Sequence, residues 1–237
     1  MLGDFIGSAS VPSRARTAGG FRFWFFTAAA VAGLMVLTSC DETTGLPTEP
    51  VPTTLEAVSG DGQTGEVGTE LSQPLVVRVL DEEGAGFEGV PVSWSAAGGG
   101  SVGSGSTTTD ASGTARTTWT LGPTAGAQSA TAEVPVLGTV TFEATAEAGA
   151  LDTVTVSADS VGFDAVQDTV VLTARGADRF GNEVTLAGLT WASRDAAIAT
   201  VDGSGAAVSA GHGATWVVAE SGGLADSAAV TVAQVVV

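Results

Sequence analysis

The sequence predicts an all-β chain: two tandem β-sandwiches that follow an apolar N-terminal segment and a flexible tether. Three observations predict it. Downstream of Cys40, short runs that alternate apolar and polar residues recur with turn-forming residues between them. No long stretch there carries a helical apolar period with caps. Near Ala148 to Ala150 the rhythm of strands and turns starts again.

The first element is the N-terminal segment. Arg14, Arg16 and Arg22 form a positive region, Phe23 to Leu37 an apolar one, and the small residues Thr38 and Ser39 precede Cys40, the only cysteine of 237 residues. That is the layout of a secretory signal. The uncharged stretch from Phe23 to Cys40 has 18 residues, the lower edge of the roughly 17–25 that span hydrocarbon, and its centre is rich in weakly apolar alanine. Asp41 and Glu42 follow, with no basic anchor, and then "TTGLPTEPVPTT" from Thr43 reads as an extended tether.

Leu37-Thr38-Ser39-Cys40 resembles the lipobox of bacterial lipoproteins. The resemblance implies that the Cys40 thiol carries diacylglycerol, that residues 1–39 are a removed signal peptide, and that the new amino terminus is acylated. Each buried methylene contributes roughly 0.8 kcal/mol, so two or three chains hold where one holds marginally. A lone cysteine forms no internal disulfide, so both sandwiches must fold without that staple. The expected location is the cell envelope, with the outer membrane or cell surface preferred to the inner membrane. Asp41 points the other way by analogy with some bacteria.

The chain carries 8 basic and 26 acidic residues, a net charge of −18. Loss of residues 1–39 leaves five arginines against 25 carboxylates, a net charge of −20. This scattered acidity repels phosphate backbones, which argues against a nucleic-acid partner, and keeps an exported chain soluble.

The strands come next. In "PLVVRVL", Leu75, Val77 and Val79 share a face opposite Val76, Arg78 and Leu80; in "GVPVSWS", Val90, Val92 and Trp94 alternate with Pro91, Ser93 and Ser95. Ala115, Thr117, Trp119 and Leu121 form another inward set, as do Val140, Phe142, Ala144 and Ala146. "DEEGAG" from Asp81, "DASG" from Asp110 and "GPTAG" from Gly122 supply turns. The second half offers "DTVTVSA" from Asp152, "TVVLTARG" from Thr169, "LTWAS" from Leu189, "AAVSA" from Ala206, "ATWVVAE" from Ala214 and "SAAVTV" from Ser227. About seven short strands in roughly ninety residues per half match an immunoglobulin-like β-sandwich. "RVLDEEGAGFEGVPVSW" from Arg78 and "TARGADRFGNEVTLAGLTW" from Thr173 read as divergent repeats, each ending on a tryptophan, Trp94 or Trp191. All four tryptophans beyond the signal are expected to pack in cores.

Residues 55–148 are similar to group 1 bacterial immunoglobulin-like domains, the invasin/intimin type, through "GQTG" from Gly62, "QPL" from Gln73, "GVPV" from Gly89, "TDASG" from Thr109 and "WTLG" from Trp119. Residues 149–237 resemble the group 2 type through "DRFGN" from Asp178, "TWASRDAAIATVDGSG" from Thr190 and "AGHGAT" from Ala210. The expected organisation is a signal peptide (1–39), lipidated Cys40 with a tether (40–54), and these two domains. The resemblance implies exported modules that space, present or adhere, and it carries no catalytic residues.

Chemistry is sparse. The single histidine, His212, lies between two glycines at a strand entry, no Gly-x-Ser-x-Gly strand-to-helix elbow is evident, and the clustered Cys and His ligands of a zinc site are lacking. No catalytic residue, metal or cofactor is therefore expected. Asp81-Glu82-Glu83 and Asp202-Gly203-Ser204-Gly205 are the turns where calcium at an inter-domain joint would sit, yet neither spells the D-x-[DN]-x-[DN]-G loop. The function expected is a non-enzymatic, lipid-anchored stalk or adhesion-type spacer. The alternatives are a module binding a surface glycan or protein, and the N-terminal part of a larger surface protein, the reading that "AQVVV" from Ala233 suggests.

Overall fold

Alternating side chains build the strands of the computed structural model, which describes residues 49–233. Cys40 and the lipobox residues Leu37, Thr38 and Ser39 lie outside the described residues.

The first sandwich runs β1 (Pro52–Ser59), β2 (Gln63–Glu66), β3 (Leu75–Asp81), β4 (Pro91–Ala96), β5 (Ser101–Val102), β6 (Ser106–Thr108), β7 (Thr114–Thr117), β8 (Trp119–Thr120), β9 (Gly126–Val134) and β10 (Gly138–Glu147). One sheet has the order β1-β3-β7 and the other β2-β10-β9-β4-β6, with β5 and β8 as a short pair. β1 is antiparallel to β3, whereas β2 runs parallel to β10, so the chain crosses between sheets after its first strand. That crossing and the antiparallel β10-β9-β4 ladder give an immunoglobulin-like sandwich. β1 starts at Pro52, within the stretch read as tether.

The alternation in β3, β4, β7 and β10 is realised: Leu75, Val77, Val79, Val92, Trp94, Ala115, Trp119, Phe142, Ala144 and Ala146 are buried in one core. Trp94 is tilted 32° to Phe142 with centroids 6.2 Å apart, and its indole N–H donates to the Thr107 hydroxyl at 2.7 Å. Trp119 is wholly buried.

The second sandwich runs β11 (Thr153–Val156), β12 (Ser160–Phe163), β13 (Thr169–Val171), β14 (Ala174–Ala177), β15 (Glu183–Val184), β16 (Thr190–Ser193), β17 (Ala199–Val201), β18 (Ala206–Ser209), β19 (Gly213–Ser221) and β20 (Leu224–Val232). Its sheets are β11-β14-β15, β13-β18-β17 and β12-β20-β19-β16, again with β12 parallel to β20. The run "TVVLTARG", expected as one strand, is divided into β13 and β14. Buried Leu172 sits at the break and donates its N–H to the Gly205 carbonyl, while β13 pairs with β18 and β14 with β11. A second core holds Val154, Val156, Phe163, Leu172, Val217, Val230 and Val232 with four alanines.

Two tryptophans depart from the expectation of core packing. Trp191 is only partly buried, packed against the margin of the second core, and Trp216 is 44% exposed. In β19 apolar residues fall on both parities; Thr215, Val217 and Ala219 take the inward one, and Trp216 lies on the outward one with Glu220.

Candidate functional site at the joint between the sandwiches

With nucleophiles, bases and metal ligands sparse, the groups that join the two sandwiches are the candidate functional site. β14 enters the turn Asp178-Arg179-Phe180-Gly181-Asn182, which leads to β15. Asp178 is buried. One of its carboxylate oxygens accepts the N–H groups of Phe180 (2.8 Å) and Asn182 (2.9 Å). The other accepts the N–H of Gly149 (2.9 Å), in the connector after β10, and the Asn182 side-chain amide (2.8 Å). Burial pushes the Asp178 pKa up, but the hydrogen bonds from the Asn182 amide and from the Gly149, Asn182 and Phe180 N–H groups outweigh it and hold the carboxyl at about 2.

Asn182 carries the contact across. Its amide nitrogen also donates to the Pro123 carbonyl (2.8 Å), and its amide oxygen accepts the Ala125 N–H (2.8 Å), both in the turn before β9. One side chain thus satisfies a donor and an acceptor of the first sandwich while bonded to Asp178 of the second, as a fork reads a peptide edge. Phe180 lies over Gly68, where a Cβ would come within 2.9 Å of the ring, and the Arg179 guanidinium carbon is 4.6 Å from the centroid of that ring. A cavity of about 170 Å³ beside the joint is lined by Glu66, Gly149, Ala150, Leu151, Asp152, Asp178 and Arg179.

Neither turn named for calcium lies at this joint. Asp81 is paired with Pro52, at the start of the first strand, and its carboxylate accepts the N–H groups of Glu83 and Ala85. Asp202 accepts the N–H of Ser204, the hydroxyl of Ser204 and the N–H of Ala206. Its pKa is lowered by the Ser204 hydroxyl first and then by those N–H groups. Both carboxylates serve their own turns. Among the described residues, no group of three or more His, Cys, Asp or Glu is placed to hold a metal ion, and no helix is long and apolar enough to cross a membrane. His212 is exposed just before β19. Asp178 and Asn182 went unnoticed as site residues in the sequence, although "DRFGN" has the acid, glycine and amide of a tight turn.

No protein-family model matches the chain, and no curated protein matches it. Among solved structures it is similar to a C-terminal 282-residue fragment of intimin, solved in complex with the intimin-binding domain of the translocated intimin receptor. That match has 21% identity over 78% of this chain and 64% of the other, with a TM-score of 0.33. It is also similar to the Escherichia coli adhesin FdeC (21% identity, 79% and 66%, TM-score 0.43) and to invasin, a bacterial integrin-binding protein (23% identity, 77% and 40%, TM-score 0.37). The chain spans less than two thirds of the length of each of these three.

Proposed function

We propose that the chain is a non-enzymatic protein of the cell envelope, anchored through lipidated Cys40, whose two sandwiches act as a stiff spacer of the adhesion type. Residues 1–39 are the signal peptide, 40–54 the lipidated cysteine and tether, and 55–148 and 149–237 the two domains. The observation that carries the spacer reading is the Asn182 clasp on Pro123 and Ala125, backed by the Asp178 bond to Gly149. A spacer transmits length only if its joint resists bending, and these bonds tie the connector and two turns into one unit.

Two experiments test it. Cys40→Ser should abolish uptake of labelled palmitate; equal labelling of the variant would overturn the anchor. Residues 49–237 contain no cysteine, so spin labels at Thr141→Cys and Thr200→Cys, exposed positions of the two sandwiches, report their separation. A narrow distance distribution that broadens in Asn182→Ala supports the stiff joint. A distribution already broad in the parent removes it.

The second reading, a module that binds a surface glycan or protein, is favoured by one observation: Trp216 stands 44% exposed on a sheet face. Iodide quenching that is relieved by an added glycan would move the preference to that reading.

A further inference from the structure

The outer face of β9 and β10 carries a groove of about 390 Å³, within the range of ligand sites, lined by Gly62, Ala97, Gly98, Ala127, Gln128, Ser129, Glu143, Ala144 and Thr145. Its floor is two cross-strand pairs, Ser129 with Glu143 and Ala127 with Thr145. Its walls are bonded to that floor. Ala97 donates its N–H to the Ser129 carbonyl (2.9 Å), Gly62 donates to the Glu143 carbonyl (2.9 Å), and the Asp61 carboxylate accepts the Glu143 N–H (2.7 Å). The groove is therefore already shaped and needs no closure.

We propose that this groove receives a basic side chain, arginine or lysine, presented by an extended segment of a partner protein. Charge selects the occupant. The only ionised side chain of the lining is Glu143, the Asp61 carboxylate stands beside it, and no arginine or lysine lines the groove. In a chain of net charge −18, that end attracts a cation and repels an anion. The lining also holds no aromatic ring, so it lacks the face on which a sugar would stack. The small floor residues Ala127 and Ser129 leave room for an alkyl stem, while the hydroxyls of Ser129 and Thr145 can accept N–H groups that the carboxylate does not take. This site stands without the spacer reading, since it uses one sandwich alone.

The test is a titration of the full-length chain in detergent, followed by amide ¹H–¹⁵N spectra. The probe is the tripeptide acetyl-Gly-Arg-Gly-amide, with its citrulline counterpart and glucosamine as controls. The arginine peptide should produce saturable shifts confined to Gly62, Gly98, Ala127, Ser129, Glu143 and Thr145. Loss of the charge in the citrulline peptide, or in Glu143→Gln, should weaken binding about tenfold. Added salt should weaken it further. Ala127→Arg, at an exposed position, should occupy the groove with its own guanidinium and abolish the shifts without lowering the melting temperature. Equal binding of the citrulline peptide, undiminished binding in either variant, shifts centred elsewhere, or a response to glucosamine but not to the arginine peptide would overturn the proposal.

Discussion

Replacing Trp94 and Trp191 separately by alanine distinguishes a core tryptophan from a marginal one. Trp94 is 5% exposed, packed against Phe142 and bonded to Thr107. Its removal takes away a large buried side chain whose site is held open by two sheets, which costs about 3–5 kcal/mol. Trp191 is partly buried at the edge of its core; the water that already reaches it fills much of the space it leaves, and the expected cost is about 2 kcal/mol. Trp94→Phe separates packing from polarity: it keeps most of the apolar contact and loses one hydrogen bond, a net change of about 1 kcal/mol. Urea unfolding followed by far-UV circular dichroism gives these numbers. Residue-resolved hydrogen exchange assigns each loss to its own sandwich, because the two cores are separate. Equal costs for the two alanine variants, or a Trp94→Ala cost below about 1.5 kcal/mol, would refute the inference from burial to stability.

The Asp110 turn offers a glycine contrast. Gly113 has φ +76° and an added Cβ would strike the Val79 carbonyl, whereas Gly84, with φ +79°, has nothing within 4 Å. Gly84→Ala should therefore cost about 1–2 kcal/mol for the left-handed backbone alone, and Gly113→Ala clearly more in the same denaturation assay. At the joint, Asp178 has its pKa depressed to about 2, so its contribution is present above the ordinary carboxylate value of roughly 4 and is lost as pH falls through the folded value. Exchange protection of the Gly149 amide should persist at pH 4 and fall between about pH 4 and 2; protection lost already at pH 5 would contradict the assignment. Gly65→Val, whose branched side chain would start 2.8 Å from a Leu71 methyl, should destabilise the first sandwich and leave exchange in the second unchanged.

The first sandwich was the more legible half because its strands separate their faces by residue type. In β3 one parity is Leu75, Val77 and Val79, and the other includes Arg78; in β10 the inward Phe142 is flanked by Thr141 and Glu143. A one-residue slip there would bury a charge, so residue type alone determines which parity faces inward. In β19 the two parities are Ala214, Trp216, Val218, Glu220 and Thr215, Val217, Ala219, Ser221. Only Glu220, near the end of the strand, marks the outward parity; from Ala214 to Ala219 apolar residues occupy both, so the pattern around Trp216 itself does not turn it to solvent. The joint was illegible for a different reason. Asp178 bonds to Gly149, and Asn182 to Pro123 and Ala125, across about 29 to 59 residues of sequence, and no local period encodes that meeting.

The Asp178 turn shows how the joint between the two sandwiches arises from a repeated element. In the first sandwich the N–H of Asp81 donates to the Ala85 carbonyl, the N–H of Gly84 donates back to Asp81, and the Asp81 carboxylate takes the N–H groups of Glu83 and Ala85. In the second, Asp178, Gly181, Phe180 and Asn182 repeat that pattern bond for bond. The backbone hydrogen bonds are the same, and three side chains differ: Arg179 stands where the first turn has Glu82, Phe180 where it has Glu83, and Asn182 where it has Ala85. Alanine offers neither donor nor acceptor to a neighbour, and the glutamate offers no ring to lay over a glycine. The turn at Asp81 instead meets the incoming chain, with Glu82 accepting the N–H of Val51. One scaffold therefore serves two ends. The aspartate and glycine make the turn, and the differing residues after the aspartate set what it meets: the other sandwich through Phe180 and Asn182, or the chain entering β1 through Glu82.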